Sequence, residues 1–148
     1  MKILLMGNPN VGKSVLFFRL TGTRTIASNY PGTTVEFIKG SLKLGQEQAE
    51  IIDVPGTYTL EPTSKAEEVA AEMLKEGDLI IDVIDATNLE RNLNLTLQLL
   101  ERTVPVIVAL NMLDDAHHRG INIDVARLEA LLGVPVVPTV GVTGQGIK

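Results

Sequence analysis

Near the start of the chain, Gly7-Asn8-Pro9-Asn10-Val11-Gly12-Lys13-Ser14 has the residue types and spacing to hold a polyphosphate. It fits G-x-x-x-x-G-K-[ST], between a short apolar run and a segment of helical character. Glycines let the backbone curl so that successive N–H groups face inward, and the start of the following helix adds partial positive charge. The expected cradle for the α- and β-phosphates is therefore Gly7, Asn8, Asn10, Val11 and Gly12, with Val15 in the first helical turn. Lys13 is expected to reach the β- and γ-phosphates, and the Ser14 hydroxyl to ligate Mg²⁺. Average residue usage produces this pattern by chance in roughly one chain in a hundred of this length, and the strand-before, helix-after setting lowers that further.

A second group of residues addresses the base. Asn111-Met112-Leu113-Asp114 closes the apolar run Val106 to Leu110, at the kind of strand end where open α/β sheets bind ligands. The Asp114 carboxylate can accept two hydrogen bonds from N1–H and N2–H₂ of guanine, whereas adenine offers no such donor pair. It is expected to select GTP over ATP by a wide margin, since a carboxylate facing adenine would be left unpaired. Asn111 is expected to tie the base pocket to the phosphate loop. Met112 keeps the apolar stem that a lysine usually lays against the base here, and drops the charge. Alone, N-x-x-D is weak evidence, because Asn and Asp are common helix caps. About a hundred residues after a phosphate loop, it gains meaning.

Two loops between these points have the composition of switches. Asp53-Val54-Pro55-Gly56 ends an apolar run and reads as D-x-x-G, with Asp53 holding Mg²⁺ through a water and the Gly56 amide bonding a γ-phosphate. Upstream, Asn29-Tyr30-Pro31-Gly32-Thr33-Thr34-Val35-Glu36 supplies a threonine to complete the Mg²⁺ shell, and Thr34 is chosen over Thr33. Lys13, Thr34 and Gly56 are thus the expected catalytic set. Both segments are rich in Gly, Pro, Ser and Thr, as suits loops ordered by a ligand.

These groups must be held by a frame. Strand-length apolar runs occur at Ile3 to Met6, Val35 to Leu44, Ala49 to Val54, Leu79 to Asp85, Val106 to Asn111 and Val134 to Val137. Helix-like segments, Gly12 to Leu20, Ser64 to Lys75, Leu89 to Glu101 and Asp124 to Leu132, lie between most of them. The alternation predicts an α/β fold with a doubly wound, mainly parallel, six-stranded sheet. One edge strand is antiparallel, because Gly45-Gln46-Glu47-Gln48 is only a hairpin-length link. The 148 residues, 45% hydrophobic, make one domain spanning 1–148. The chain stops at Lys148, where a closing helix would be expected over one sheet face, so a fragment of a longer protein is expected. A net charge of -5 argues against a nucleic-acid partner, and the lack of cysteine excludes disulfides and thiolate metal sites. No apolar run approaches the ~20 residues of a membrane span.

The phrases Asn29-Tyr30-Pro31-Gly32-Thr33-Thr34-Val35-Glu36, Asp53-Val54-Pro55-Gly56-Thr57-Tyr58-Thr59-Leu60 and Asn111-Met112-Leu113-Asp114 resemble the two switches and the guanine motif of the FeoB ferrous-iron transporters. The resemblance covers nearly the whole chain, and the Met after Asn is its most discriminating mark. It implies a P-loop, Ras-like G domain that hydrolyses GTP on the cytoplasmic face of the cell membrane. In the intact protein that domain precedes a small helical domain and a membrane-spanning iron-permeation region. It also implies K⁺ held partly by Asn10, supplying positive charge during hydrolysis. The oligomeric state is left open.

Some positions depart from the general GTPase pattern. Where many carry a water-orienting Gln, this chain has Thr57, so unassisted hydrolysis is expected to be slow. Arg24 is read as a surface residue rather than an arginine finger. The loop backing guanine reads Val140-Gly141-Val142 instead of Ser-Ala-x; the Gly141 amide could still meet guanine O6, but weak GDP retention is expected. Phe17 and Phe18 cannot both face one core. His117-His118 are read as surface residues, and Asp82 as a hydrogen-bonded strand residue without chemistry. The competing readings are a GTPase acting on ribosomes or tRNA, a binding module without turnover, and, last, an ATPase.

Overall fold

The computed structural model describes residues 1–22, 25–61 and 63–139. Among these, seven strands form one sheet in the order β2-β3-β4-β1-β5-β6-β7: β1 (Lys2–Gly7), β2 (Thr25–Asn29), β3 (Glu36–Leu44), β4 (Glu47–Asp53), β5 (Leu79–Asp85), β6 (Val106–Asn111) and β7 (Val136–Pro138). The helices are α1 (Lys13–Thr21), α2 (Lys65–Leu74), α3 (Leu89–Leu100), α4 (Leu113–His118) and α5 (Val125–Leu132), with a short 3₁₀ turn, Ala86–Asn88, leading into α3. The fold is α/β and its sheet mostly parallel, as expected, with one strand more than the six anticipated. Thr25–Asn29 pairs antiparallel with Gly40 back to Glu36, so the antiparallel strand β3 lies one in from the edge. Only the backbone register reveals β2, where Thr25 and Ser28 are half-buried and Ile26 is exposed, so its residues show little apolar alternation.

Local chemistry explains the elements that carry the site. β1, flanked by parallel partners β4 and β5, is buried on both faces from Ile3 onward, which is why it is a continuous apolar run rather than an alternating one. β3 and β4 turn back through Gly45 at φ 62, a left-handed conformation that favours glycine. The Ser64 hydroxyl caps α2 by accepting from the Glu67 N–H at 3.3 Å, and Glu67 accepts in turn from the Thr63 N–H at 3.1 Å.

The sheet separates two apolar layers. On one face Leu4, Met6, Ile80 and Ile84 meet Val69 and Met73 of α2 and Leu95 and Leu99 of α3. On the other, Ile3, Leu5, Ile51 and Val83 meet Leu16 and Phe17 of α1. Phe17 is fully buried while Phe18 faces solvent, as adjacent helical positions require. Strand order reverses at β1, so the crevice at its carboxyl end is the expected ligand position of a doubly wound sheet.

One carboxyl is buried in the frame itself. Asp82 on β5 points into the α3 layer, accepts a hydrogen bond from the Thr96 hydroxyl, and is 1% exposed. Burial raises its pKa to about 7, against the lowering effect of that bond. It is a satisfied structural group, as its place within an apolar strand implied.

Candidate functional site

The phosphate loop leaves β1 in a conformation that depends on its glycines. A Cβ on Gly7 would lie 2.7 Å from the Val83 carbonyl oxygen. Gly12, at φ 82, would place one 2.4 Å from Asn111 Nδ2. Asn10 is also left-handed, at φ 66, and exposed. No side chain caps α1, so the unpaired amides of its first turn stay available to a ligand. Asn8 to Asn10, Gly12 to Val15 and Gly56 line a cleft of about 500 Å³. A shallow depression of about 590 Å³ over the outer strands, lined by Thr25, Ile26, Lys39 and Glu50 among others, is larger. It has no amide cradle or helix start, so the chemistry favours the smaller cleft.

Asn111 joins the far half of the site to this loop. It is 2% exposed, donates from Nδ2 to the Val11 carbonyl at 3.0 Å, and accepts at Oδ1 from the Thr139 hydroxyl at 3.2 Å. These bonds span 100 and 28 residues and brace the loop against the end of β6. Met112 follows at φ 60, and its Cε stands 3.3 Å from where a Gly12 Cβ would be. Asp114 then sits exposed in the first turn of α4. Asn111 and Met112 are thus brought onto the phosphate loop, and Asp114 one turn beyond it.

The D-x-x-G segment lies on the loop's opposite side. Lys13 Nζ forms an ion pair with Asp53 and donates to the Val54 carbonyl at 2.7 Å. The two charged side chains are 10% and 9% exposed. A Cβ on Gly56 would sit 3.0 Å from Pro9 Cα, and the Thr57 N–H donates to the Gly7 carbonyl at 3.1 Å. Thr57 is therefore buried beneath the loop, while Ser14 stands exposed at its mouth. Thr34 is exposed and does not line the cleft. The neighbouring Thr33 hydroxyl is engaged locally, donating to the Tyr30 carbonyl at 2.9 Å and accepting from the Val35 N–H at 3.1 Å.

Three residues of α3 make contacts that the sequence does not announce. Arg91 stacks 4.3 Å from the centre of the Tyr58 ring, and Asn94 Nδ2 donates to the Tyr58 carbonyl at 3.3 Å. Gln98 Oε1 accepts from the Leu60 N–H at 2.6 Å, and its Nε2 donates to the Thr59 hydroxyl at 2.9 Å. Positions 91, 94 and 98 follow helical spacing, so they form one polar stripe on the residues after Gly56. The spacing was visible in the sequence, but a polar helix face ordinarily means solvent. Arg24, Val140, Gly141 and Val142 lie outside the described residues. His117 and His118 are exposed, and among the described residues no three His, Cys, Asp or Glu side chains converge as a metal site. No helix among those residues is long and apolar enough to cross a membrane.

A family model described as ferrous iron transport protein B matches residues 1–148. The Fe(2+) transporter FeoB of Escherichia coli strain K12 is 49% identical over 150 residues, covering 97% of this chain and 19% of that protein. An Fe(2+) transport protein A/Fe(2+) transporter FeoB fusion protein of Porphyromonas gingivalis is 48% identical over 149 residues, covering 99% of this chain and 18% of that protein. Among solved structures, the cytosolic domain of L. pneumophila FeoB superimposes with a TM-score of 0.95 at 48% identity, covering 99% of this chain and 59% of that one. The T. maritima FeoB cytosolic domain in its GMPPNP form gives a TM-score of 0.94 at 42% identity, covering 99% and 59%. An S. thermophilus NFeoB mutant bound to GDP gives 0.93 at 45% identity, covering 99% and 58%. The chain spans under a fifth of the length of these curated relatives. By motif, topology and likeness over its whole length, the chain belongs to the ferrous iron transport protein B family.

Proposed function

We propose that this chain binds GTP and GDP, hydrolyses GTP with Mg²⁺, and serves as the nucleotide switch of a ferrous-iron transporter whose helical and membrane-spanning parts lie outside residues 1–148. The observation that carries the reading is the bond from Asn111 to the Val11 carbonyl, with Met112 against Gly12, which makes the base motif and the phosphate loop one continuous surface. The GMPPNP and GDP forms of the related cytosolic domains support it.

The residues fit their proposed partners. The glycine cradle and uncapped start of α1 offer amides to phosphate oxygens, and Asp114 offers a carboxylate to guanine. Ser14, Asp53 and Thr34 are oxygen donors of the kind Mg²⁺ takes, Asp53 through a water, and the bound ion would neutralise charge developing on the phosphates. Lys13 must turn from Asp53 to the phosphates, which frees the Asp53 carboxylate toward the metal's shell. Thr34 must come inward from its exposed position, a motion its loop permits. Thr57 offers no carboxamide to orient an attacking water, so turnover is slow without a further cation. Exposed Asn10 is the proposed K⁺ ligand. Val140, Gly141 and Val142, outside the described residues, are the proposed backing for guanine, and their lack of a Ser side chain is the reason GDP should be released readily.

The test combines calorimetry with phosphate release. GDP should bind at least a hundredfold more tightly than ADP, and Asp114→Ala should remove that preference while leaving the fold intact, since Asp114 is exposed. GTP turnover should be faster in K⁺ than in Na⁺ buffer. Equal affinity for GDP and ADP would overturn the guanine reading, and equal rates in the two salts would overturn the role of Asn10.

A further inference from the structure

Among the described residues, three buried polar atoms at one seam have no hydrogen-bond partner: Asn8 Nδ2, Asn8 Oδ1 and the Thr57 hydroxyl. Each residue is 3% exposed. Leaving such a group unpaired is costly, so unmatched groups concentrated in one place call for a use. Their placement suggests one. Gly7, just before Asn8, accepts from the Thr57 N–H at 3.1 Å, and Pro9, just after Asn8, abuts Gly56. The residues flanking Asn8 are therefore the ones that touch residues 56–57. The chemistry is complementary as well: a carboxamide carries both donor and acceptor, and so does a hydroxyl. Just past Thr57, Asn94 and Gln98 of α3 hold residues 58–60, so the segment has one bonded anchor and one unfinished anchor.

We propose that Asn8 is a positioning residue for the segment that senses the γ-phosphate. Its carboxamide bonds the Thr57 hydroxyl when a γ-phosphate engages the Gly56 amide, and that bond holds Gly56 in place. The segment then discriminates triphosphate from diphosphate through a contact beneath the phosphate loop, in addition to the contact with the phosphate itself. The inference rests on the nucleotide reading above and adds a mechanism for its switch.

Fluorescent GDP and GMPPNP, titrated with Mg²⁺ into the whole chain, test it with Asn8→Ala, Thr57→Val, Thr57→Ser and the Asn8→Ala/Thr57→Val double variant. Thr57→Val should weaken GMPPNP binding about tenfold, the effect of one buried hydrogen bond, with GDP binding changed less than about twofold, and Asn8→Ala should weaken GMPPNP binding about tenfold more than it weakens GDP binding. The double variant should be no weaker than either single one, because both remove the same bond. Thr57→Ser, which keeps the hydroxyl, should retain most of the GMPPNP affinity. Thr57→Val should also melt no earlier than the parent when no nucleotide is added, since its hydroxyl has no partner to lose. Equal losses for GDP and GMPPNP, multiplying losses in the double variant, or a melting point several degrees lower would each overturn the proposal. A parent chain that binds neither nucleotide would instead overturn the nucleotide reading, and this inference with it.

Discussion

On one side the phosphate loop meets Asn111; on the other it meets Gly56 and Thr57, and the two contacts differ in how fully their polar groups are satisfied. On the first side, the Asn111 carboxamide bonds both the Val11 carbonyl and the Thr139 hydroxyl. On the second, a backbone bond from Thr57 is made, but the Asn8 and Thr57 side chains remain unmatched. Lys13 is turned to Asp53, and Thr34 stands away from the cleft. The half that would recognise what all guanine nucleotides share has its Asn111 brace bonded in advance. The half that would tell one phosphate number from another holds its polar groups in reserve. A switch needs this asymmetry, because a ligand shifts an equilibrium only by its differential interaction with two arrangements.

The largest effect should come from breaking the finished side. Gly12→Ala forces a Cβ to within 2.4 Å of Asn111 Nδ2 at a residue with φ 82. It should lower unfolding stability by about 3–5 kcal/mol in urea titrations and abolish nucleotide binding. If the variant melted like the parent, the Asn111 brace would not be rigid.

Asp82 tests whether the frame between the two sides is indifferent to charge. Its raised pKa means that the folded protein keeps a proton that the unfolded chain releases above pH about 4. Stability should therefore fall as pH rises from about 4 to the folded value of about 7, and level off beyond it. Asp82→Asn keeps an acceptor for Thr96 and removes that dependence. It should gain about 2–4 kcal/mol at pH 8 and almost nothing at pH 4, read from urea midpoints across the range. A constant gap between variant and parent would show that Asp82 ionises normally in the fold.

The smallest effect should come from the α3 stripe. Gln98→Ala removes the acceptor for the Leu60 N–H and should cost about 1 kcal/mol. Hydrogen exchange should rise at residues 57–60 and stay unchanged at Asn111. Uniform protection along both sides would mean that the segment after Gly56 is held by the loop alone.

Much of this was legible because the decisive residues work through the backbone or through one charged group. A phosphate cradle needs glycines at fixed offsets, and buried parallel strands need mainly apolar runs, so β1, β5, β6 and the loop could be read directly. β2 was hidden because edge strands are specified by their partner's register more than by their own residues. α4 escaped notice because it is 6 residues long and its N-cap, Met112, makes no side-chain cap. The α3 stripe looked like a solvated face, and the mismatch between Asn8 and Thr57 is a property of burial that no spacing announces. Asp82 could be read correctly because an acid inside an apolar strand must find a partner, and Thr96 supplies it.

The pairing of Lys13 with Asp53 also bears on how affinities should be interpreted. That carboxylate competes with any incoming anion for the same ammonium group. Replacing Lys13 removes a contact to the anion and, at the same time, a competing contact within the protein. The measured loss of affinity therefore equals the difference between the two, and it understates what the lysine contributes to the complex by the strength of the ion pair it gave up.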